Sequence, residues 1–225
     1  MPKAKDRLAK GQPVLVVNPG GAAPDAVDIL ARLGVDIVFI DCERTAVGIE
    51  SVAPMSRAAQ ARGASAIVRS HSSDPADWIR YWDRGIDGLV IPHVESAKQA
   101  QLVVETAQYA CGDSVKDKLV IVQIESKQGV DQLDEIMTAS GIHVFLIGPY
   151  DLSHSMGFKG DIRVPELQRT VDTVAKKLRE AGHCFGLPCR RAEFQDWMQK
   201  GARFFYHPME WLLLDSLSQL PQELK

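Results

Sequence analysis

Four apolar runs of this 225-residue chain end in side chains able to do chemistry: Asp41, Glu43 and Arg44 after one, Arg69 in the next, then Gln123 with Glu125, and Asp151. Glu125 and Asp151 are hard oxygen donors, the type that binds a divalent cation such as Mg2+ or Mn2+, with water and a chelating substrate completing the shell. The same two residues have a plainer reading, in which Glu125 pairs with a cationic side chain and Asp151 caps the turn DLSHS. Arg69 carries a planar, permanently charged fork suited to a substrate carboxylate or to a developing enolate oxygen. A salt bridge from Arg69 to Asp41 or Glu43 is the structural counterpart.

The remaining polar residues near these run ends are weaker candidates. His71 reads as a solvated loop residue able in principle to stand in as a base, and His93 as a histidine packed at the rim. His154 and Met156 read as loop structure, and His207 as either a substrate contact or a turn contact. Cys42 lies between two acidic residues, which disfavours a thiolate, so it is expected to pack rather than react.

What must position these residues is a repeated alternation. Apolar, β-branched runs occur at 14–17, 36–41, 65–70, 88–94, 118–126, 143–149, 184–189 and 203–208. They are apolar at consecutive positions, as strands buried on both faces are. Between them lie segments with helical period. Pro24 opens one, Asp74-Pro75 has the N-cap and first-position pattern of another, and Ser96, Gly129 and Pro165 begin more. Gly34, Gly63, Gly85, Gly141, Gly182 and Gly201 end them. Eight strand–helix units in succession predict a single-domain (β/α)8 barrel spanning 1–225, with an open doubly wound sheet as the competitor. No glycine-rich dinucleotide fingerprint favours the latter. In a barrel, functional groups come from the C-terminal ends of the strands, which is where the residues above fall.

Composition sets the outer limits. Apolar residues make up 45% and charged residues 24%, with a net charge of −3 and no cationic run, which gives nucleic acid no footprint. The four cysteines, Cys42, Cys111, Cys184 and Cys189, show no CxxC spacing and fit a reducing cytoplasm. The first dozen residues lack the apolar stretch of a signal peptide, and no apolar run is long enough to span a bilayer. A cytoplasmic protein with no membrane partner is the expectation.

The segments FIDCER, VRS followed by DP, GLVIPHVESA, VQIES and FLIGPYDLSHSMGFKG resemble the HpcH/HpaI aldolases, metal-dependent pyruvate aldolases of the 4-hydroxy-2-oxoheptanedioate aldolase type, over about residues 10–215. The pair VQIE and IGPxDLSxSMG carries most of that likeness. By resemblance, Glu125 and Asp151 are the metal ligands, and the cofactor is a divalent cation, Mg2+, Mn2+ or Co2+. Gln123 lies beside bound pyruvate, and Arg69 contacts the ketone or enolate oxygen. The backbone at Gly148, Pro149 and Tyr150 faces the substrate carboxylate, although proline has no N–H to offer. The implied activity is a carbon–carbon lyase acting on 4-hydroxy-2-oxo acids, with a 2-oxo acid and an aldehyde as its small-molecule partners. Related readings are an acyl-CoA lyase of the citrate-lyase β or malyl-CoA type, for which no basic phosphate site is visible, and a barrel that binds metal and 2-oxo acid with little aldolase activity.

Two departures accompany the likeness. The family motif acidic-x-Glu-His uses its histidine, working with the aspartate, to help the general base; here the motif is Asp41-Cys42-Glu43-Arg44, and arginine cannot take a proton. The long loop with a PPxGxRG-like sequence that precedes the fifth strand in the family is absent, and TAQYACGDSVKDK crosses the gap directly. The family also implies a dimer-based homo-oligomer, up to a hexamer. The helix at about 210–220, with Trp211, Leu212, Leu213 and Leu214, is the candidate for packing on a neighbouring subunit.

Overall fold

The computed structural model describes residues 4–221. Its strands are β1 (Val14–Asn18), β2 (Ile37–Asp41), β3 (Ser65–Arg69), β4 (Gly88–Ile91), β5 (Leu119–Ile124), β6 (Val144–Ile147), β7 (Phe185–Pro188) and β8 (Phe204–Pro208). Each pairs in parallel with its sequence neighbours, and β8 closes on β1 with Val14 opposite Phe204 and Asn18 opposite Pro208. The eight apolar runs therefore form one closed (β/α)8 barrel, not an open sheet.

Helix α1 (Ala4–Ala9) precedes the barrel, and α2 (Pro24–Arg32), α3 (Ile49–Ala61), α4 (Pro75–Trp82) and α5 (Ala97–Cys111) follow the first four strands. After β5 come α6 (Lys127–Asp131) and α7 (Leu133–Ile136), and after β6 come α8 (Pro149–Ser155) and α9 (Pro165–Glu180). Helix α10 (Phe194–Lys200) joins β7 to β8, and α11 (Met209–Ser218) follows β8. Asp74 caps α4 by accepting the Ala76 N–H at 2.8 Å, satisfying one of the free donors of the first turn. Gly129 does not begin a helix: the Ser126 hydroxyl caps α6 by accepting the Gly129 N–H at 3.0 Å, so the glycine lies inside it. Nor does Asp151 cap a turn. Pro149 starts α8, and Asp151 sits in its first turn. From α5 a 3-10 turn over Gly112–Asp117 leads straight into β5, filling the gap left by the missing loop.

Strand parity decides what faces inward. The cluster filling the barrel interior contains Val14 and Val16, Ile37 and Phe39, Ile67, Val90, Leu119 and Ile121, Val144 and Leu146, and Phe204. Their intervening neighbours, such as Val38, Ile40, Val68, Val120 and Val122, belong to the layer between strands and helices. Both layers are apolar, which is why the runs read as continuous. The interior leaves no room at Gly186, where an added Cβ would lie 1.9 Å from the Phe204 carbonyl oxygen.

Helix α11 docks partly on its own barrel. Met209 and Leu212 pack against Val17, Leu30 and Val35, and the Trp211 ring lies 3.8 Å beneath the Arg190 guanidinium. Leu213, Leu214 and Leu217 stay exposed. Among the described residues no helix is long and apolar enough to cross a membrane.

Candidate active site

Extending the inward parity one step beyond the interior cluster reaches Asn18, Asp41, Arg69, Gln123, Gly148 and Tyr206, and a second step along β5 reaches Glu125. All stand at the C-terminal rim, and the barrel closes them around one mouth. The register places Asp41 directly opposite Arg69 on the adjacent strand.

That register produces a nearly buried ion-pair network. Arg69 donates Nε to Asp41 Oδ1 at 3.0 Å and Nη2 to Asp41 Oδ2 at 2.6 Å, a bidentate pairing. Its third nitrogen, Nη1, lies 3.0 Å from Glu43 Oε2 as an ion-pair contact outside hydrogen-bonding geometry, since Glu43 Oε2 has no hydrogen-bond partner. Asp41 Oδ1 also accepts the backbone N–H groups of Glu43 and Arg44, each at 3.1 Å, and Asn18 Nδ2 bonds both Asp41 Oδ2 at 3.4 Å and the Tyr206 hydroxyl at 2.9 Å. Of the two readings of Arg69, the salt bridge to both Asp41 and Glu43 is present. The guanidinium still lines the cavity above it. With both carboxylate oxygens engaged, Asp41 orients Arg69 and the loop after β2.

Glu125 follows the last residue of β5 and is buried. Its Oε1 accepts the His93 N–H at 2.9 Å and lies 3.2 Å from His93 Nδ1, while its Oε2 contacts Gln123 Nε2. Burial raises the Glu125 pKa to about 7, opposed by His93 and reinforced by Asp151 and Glu43. His93 has a left-handed backbone (φ 52°) and turns its two ring nitrogens to two carboxylates, Nε2 lying 3.3 Å from Glu43 Oε1. The hydrogen bond to Glu43 raises its pKa against the opposing effect of burial, and the charges of Glu125 and Glu43 add to the rise. His93 thus stands at the rim, as expected, with a carboxylate beside each ring nitrogen.

The donor set fits a divalent cation. Glu125 is a buried carboxylate with no Lys or Arg paired to it among the described residues, and Asp151 lies close enough to perturb its titration. The buried Gln123 Oε1 has no hydrogen-bond partner among the described residues. Space beside both is kept open by a missing side chain: a Cβ on Gly148 would fall 2.7 Å from Glu125 Oε2 and 2.9 Å from Gln123 Nε2. Glu43, His93 and Glu125 also bring ligand atoms within 4.8 Å of one another. His93 stands between the two carboxylates, one ring nitrogen toward each, and links the three side chains across the mouth.

Arg44 reaches across the mouth from the loop after β2, and its Nη2 contacts Asp151 Oδ1 on α8. Together with Arg69, Gln123, Gly148, Pro149, Tyr150, Asp151 and Tyr206 it lines a cavity of about 270 Å³ whose floor is Phe39 and Leu146. Gly148 itself donates its N–H to Ile124 O at 3.0 Å, so that amide is committed to the barrel and does not face a substrate carboxylate as expected. Tyr150 is exposed at the mouth.

The other candidates lie elsewhere. His71 Nδ1 is 2.7 Å from the Tyr81 hydroxyl and Nε2 is 3.6 Å from Asp77, so it faces α4. His207 is buried between Phe194 and Trp211, with Nδ1 2.9 Å from the Cys189 carbonyl, a turn contact. Cys42 is buried beneath the loop, and burial pushes its thiol up to about 11. His154 lies within α8 beside the Tyr150 ring. Sequence reasoning missed Asn18 and Tyr206, whose only signal is the inward parity of β1 and β8.

A family model described as HpcH/HpaI aldolase/citrate lyase matches residues 16–207. The chain belongs to that family. A hydroxypyruvate/pyruvate aldolase of Roseovarius nubinhibens is 28% identical over 89% of this chain and 87% of its own length. A 4-hydroxy-2-oxo-heptane-1,7-dioate aldolase of Salmonella dublin is 28% identical over 89% and 85%. Among solved structures, an HpcH/HpaI family protein from Burkholderia cenocepacia J2315 superposes with a TM-score of 0.86 at 25% identity, covering 98% of both chains. A citrate synthase, SbnG, gives the same TM-score at 26% identity over 96% of both. Membership in the HpcH/HpaI family and relatives named as aldolases support an enzyme of the lyase kind.

Proposed function

We propose that this barrel is a divalent-cation-dependent carbon–carbon lyase that cleaves or forms 4-hydroxy-2-oxo acids through the enolate of pyruvate or a close 2-oxo acid. The observation that carries the reading is the convergence of Gln123, Arg69 and Asp151 on one cavity, with the buried Glu125 carboxylate in contact with Gln123 behind it. Glu125 and Asp151 would hold the cation, Mg2+, Mn2+ or Co2+, which when bound supplies Lewis-acid stabilisation of charge on the 2-oxo oxygen. Arg69, fixed by Asp41 and Glu43, adds positive charge where the enolate oxygen develops, without having to reorganise. Gln123 offers its amide to the bound 2-oxo acid, and the mouth at Gly148, Pro149 and Tyr150 receives the rest of the ligand. In the cleavage direction the 4-hydroxyl proton is removed and the C3–C4 bond breaks. Its electron pair moves to C3 as the enolate, an aldehyde departs, and C3 is then protonated. Arg44 contributes charge to this reaction and takes no proton.

A second reading is favoured by the contact of Arg44 with Asp151. It places a residue that cannot take a proton where the family has the histidine that helps the general base, and a competing cation on a proposed metal ligand, giving a barrel that binds a 2-oxo acid and enolises it but cleaves poorly. Pyruvate release from 4-hydroxy-2-oxopentanoate, followed with lactate dehydrogenase, separates the two. The lyase reading expects release that needs Mg2+, Mn2+ or Co2+, stops with chelator and falls at least about 100-fold in Asp151→Asn. Release indifferent to chelator and to Asp151→Asn contradicts the site assignment. For the assembly, we infer that exposed Leu213, Leu214 and Leu217 of α11 pack on a neighbouring subunit of a dimer-based homo-oligomer.

A further inference from the structure

The two arginines of the mouth are used differently. Arg69 is 11% exposed, and three of its nitrogens are spent on Asp41 and Glu43. Arg44 is 48% exposed, and its only side-chain partner among the described residues is Asp151, through one nitrogen. Its backbone is nonetheless held, since its N–H donates to Asp41 Oδ1 and the following Thr45 hydroxyl donates to Asp41 O. A guanidinium carries five N–H donors in a fixed fork, so most of Arg44's capacity remains for the cavity it lines. A pair so open to solvent exchanges partners readily. The other guanidinium lining the cavity, Arg69, is committed to Asp41 and Glu43, so an anionic group entering beyond the 2-oxo head would meet Arg44 as its available guanidinium.

We propose that Arg44 is a specificity-determining residue that receives a second carboxylate, carried on the substrate chain beyond the 2-oxo group, in exchange for Asp151. The proposal rests on the 2-oxo acid reading above and narrows it: the preferred ligands are 2-oxo acids with a distal carboxylate, and aldol products that carry one. Release of Asp151 by Arg44 also leaves that carboxylate free to serve as a cation ligand, so the two binding events favour each other.

Calorimetric titration in the presence of Mg2+ with 2-oxoglutarate and with 2-oxopentanoate tests this directly. The two share the 2-oxo acid head and the chain length, and differ in a terminal carboxylate against a methyl. Wild-type protein is expected to bind 2-oxoglutarate at least about 10-fold more tightly, the ratio given by one charge-assisted contact. In Arg44→Gln the ratio falls to within about 2-fold, and Arg44→Lys, which keeps the charge but loses the fork, lies between. Equal binding of both ligands by the wild type overturns this inference and leaves the 2-oxo acid site standing. So does a preference that survives in Arg44→Gln. Binding of neither ligand overturns the 2-oxo acid reading and takes this inference with it. If Arg44→Gln does not fold, the comparison of wild type with Arg44→Lys decides, an unchanged ratio counting against the proposal.

Discussion

Glu125→Gln is expected to weaken divalent-cation binding by at least about 100-fold and, in the metal-free protein above pH 7, to raise stability. Both effects come from one feature, a carboxylate placed where burial disfavours its charge. The sign follows from proton counts. With a folded pKa of about 7 against an unfolded value of 4.5, the folded protein holds the Glu125 proton between those pH values while the unfolded chain has lost it. Stability contributed by this group is therefore present below pH 4.5 and is lost as pH rises through 7. The loss is at most about 3 kcal/mol, or roughly 10 °C for a domain of this size. Glutamine keeps the shape without the charge, and the unpartnered Gln123 Oε1 can accept from the new amide after a flip of the Gln123 side chain. Melting curves in chelator should therefore coincide near pH 4 and separate above pH 7, with the variant higher. A variant that melts lower at pH 8, or that binds Mg2+ as wild type does, sinks the assignment of Glu125.

Arg69→Ala is expected to destabilise the protein by about 3–5 kcal/mol and to lower turnover by roughly 10²–10³-fold. Alanine leaves Asp41 without its bidentate partner and Glu43 facing it across a gap, two like charges at a nearly closed rim. Arg69→Lys separates the two effects. It retains a charge for the carboxylates and so recovers much of the stability, but a point charge cannot satisfy Asp41 bidentately and aim at a substrate oxygen together. Thermal melts and pyruvate-release rates on both variants make the comparison. Full turnover in a folded Arg69→Ala would show that the guanidinium is structural only.

The barrel was legible because its strands are buried on both faces and punctuated by helices with proline starts and glycine stops. The eight runs coincide with β1 to β8 to within a few residues. Residues at run ends also pointed to Asp41, Arg69, Gln123 and Asp151, since a chain that has been apolar for five positions turns polar only where it leaves the core. What the same apolarity hides is parity. With both faces apolar, nothing in the runs says that Val16 faces inward and Val17 outward, so Asn18 and Tyr206 drew no notice. Long-range pairing was hidden as well: the partner Arg44 finds is more than a hundred residues away, on a helix that reads as a turn because Pro149 fits both. The His93 bridge depends on a left-handed backbone that the sequence IPHVES does not announce. The Gly148 amide looked available until the β5–β6 ladder claimed it.

Enolate formation at a Glu125–Asp151 cation site is the central claim, and proton NMR of pyruvate in D2O tests it without any aldehyde. The account predicts that wild-type protein with Mg2+ erases the methyl signal by exchange, that chelator stops this, and that Asp151→Asn with Mg2+ leaves the signal intact. Exchange that continues in chelator and in Asp151→Asn, or no exchange by wild type with Mg2+ and pyruvate both bound, would contradict it.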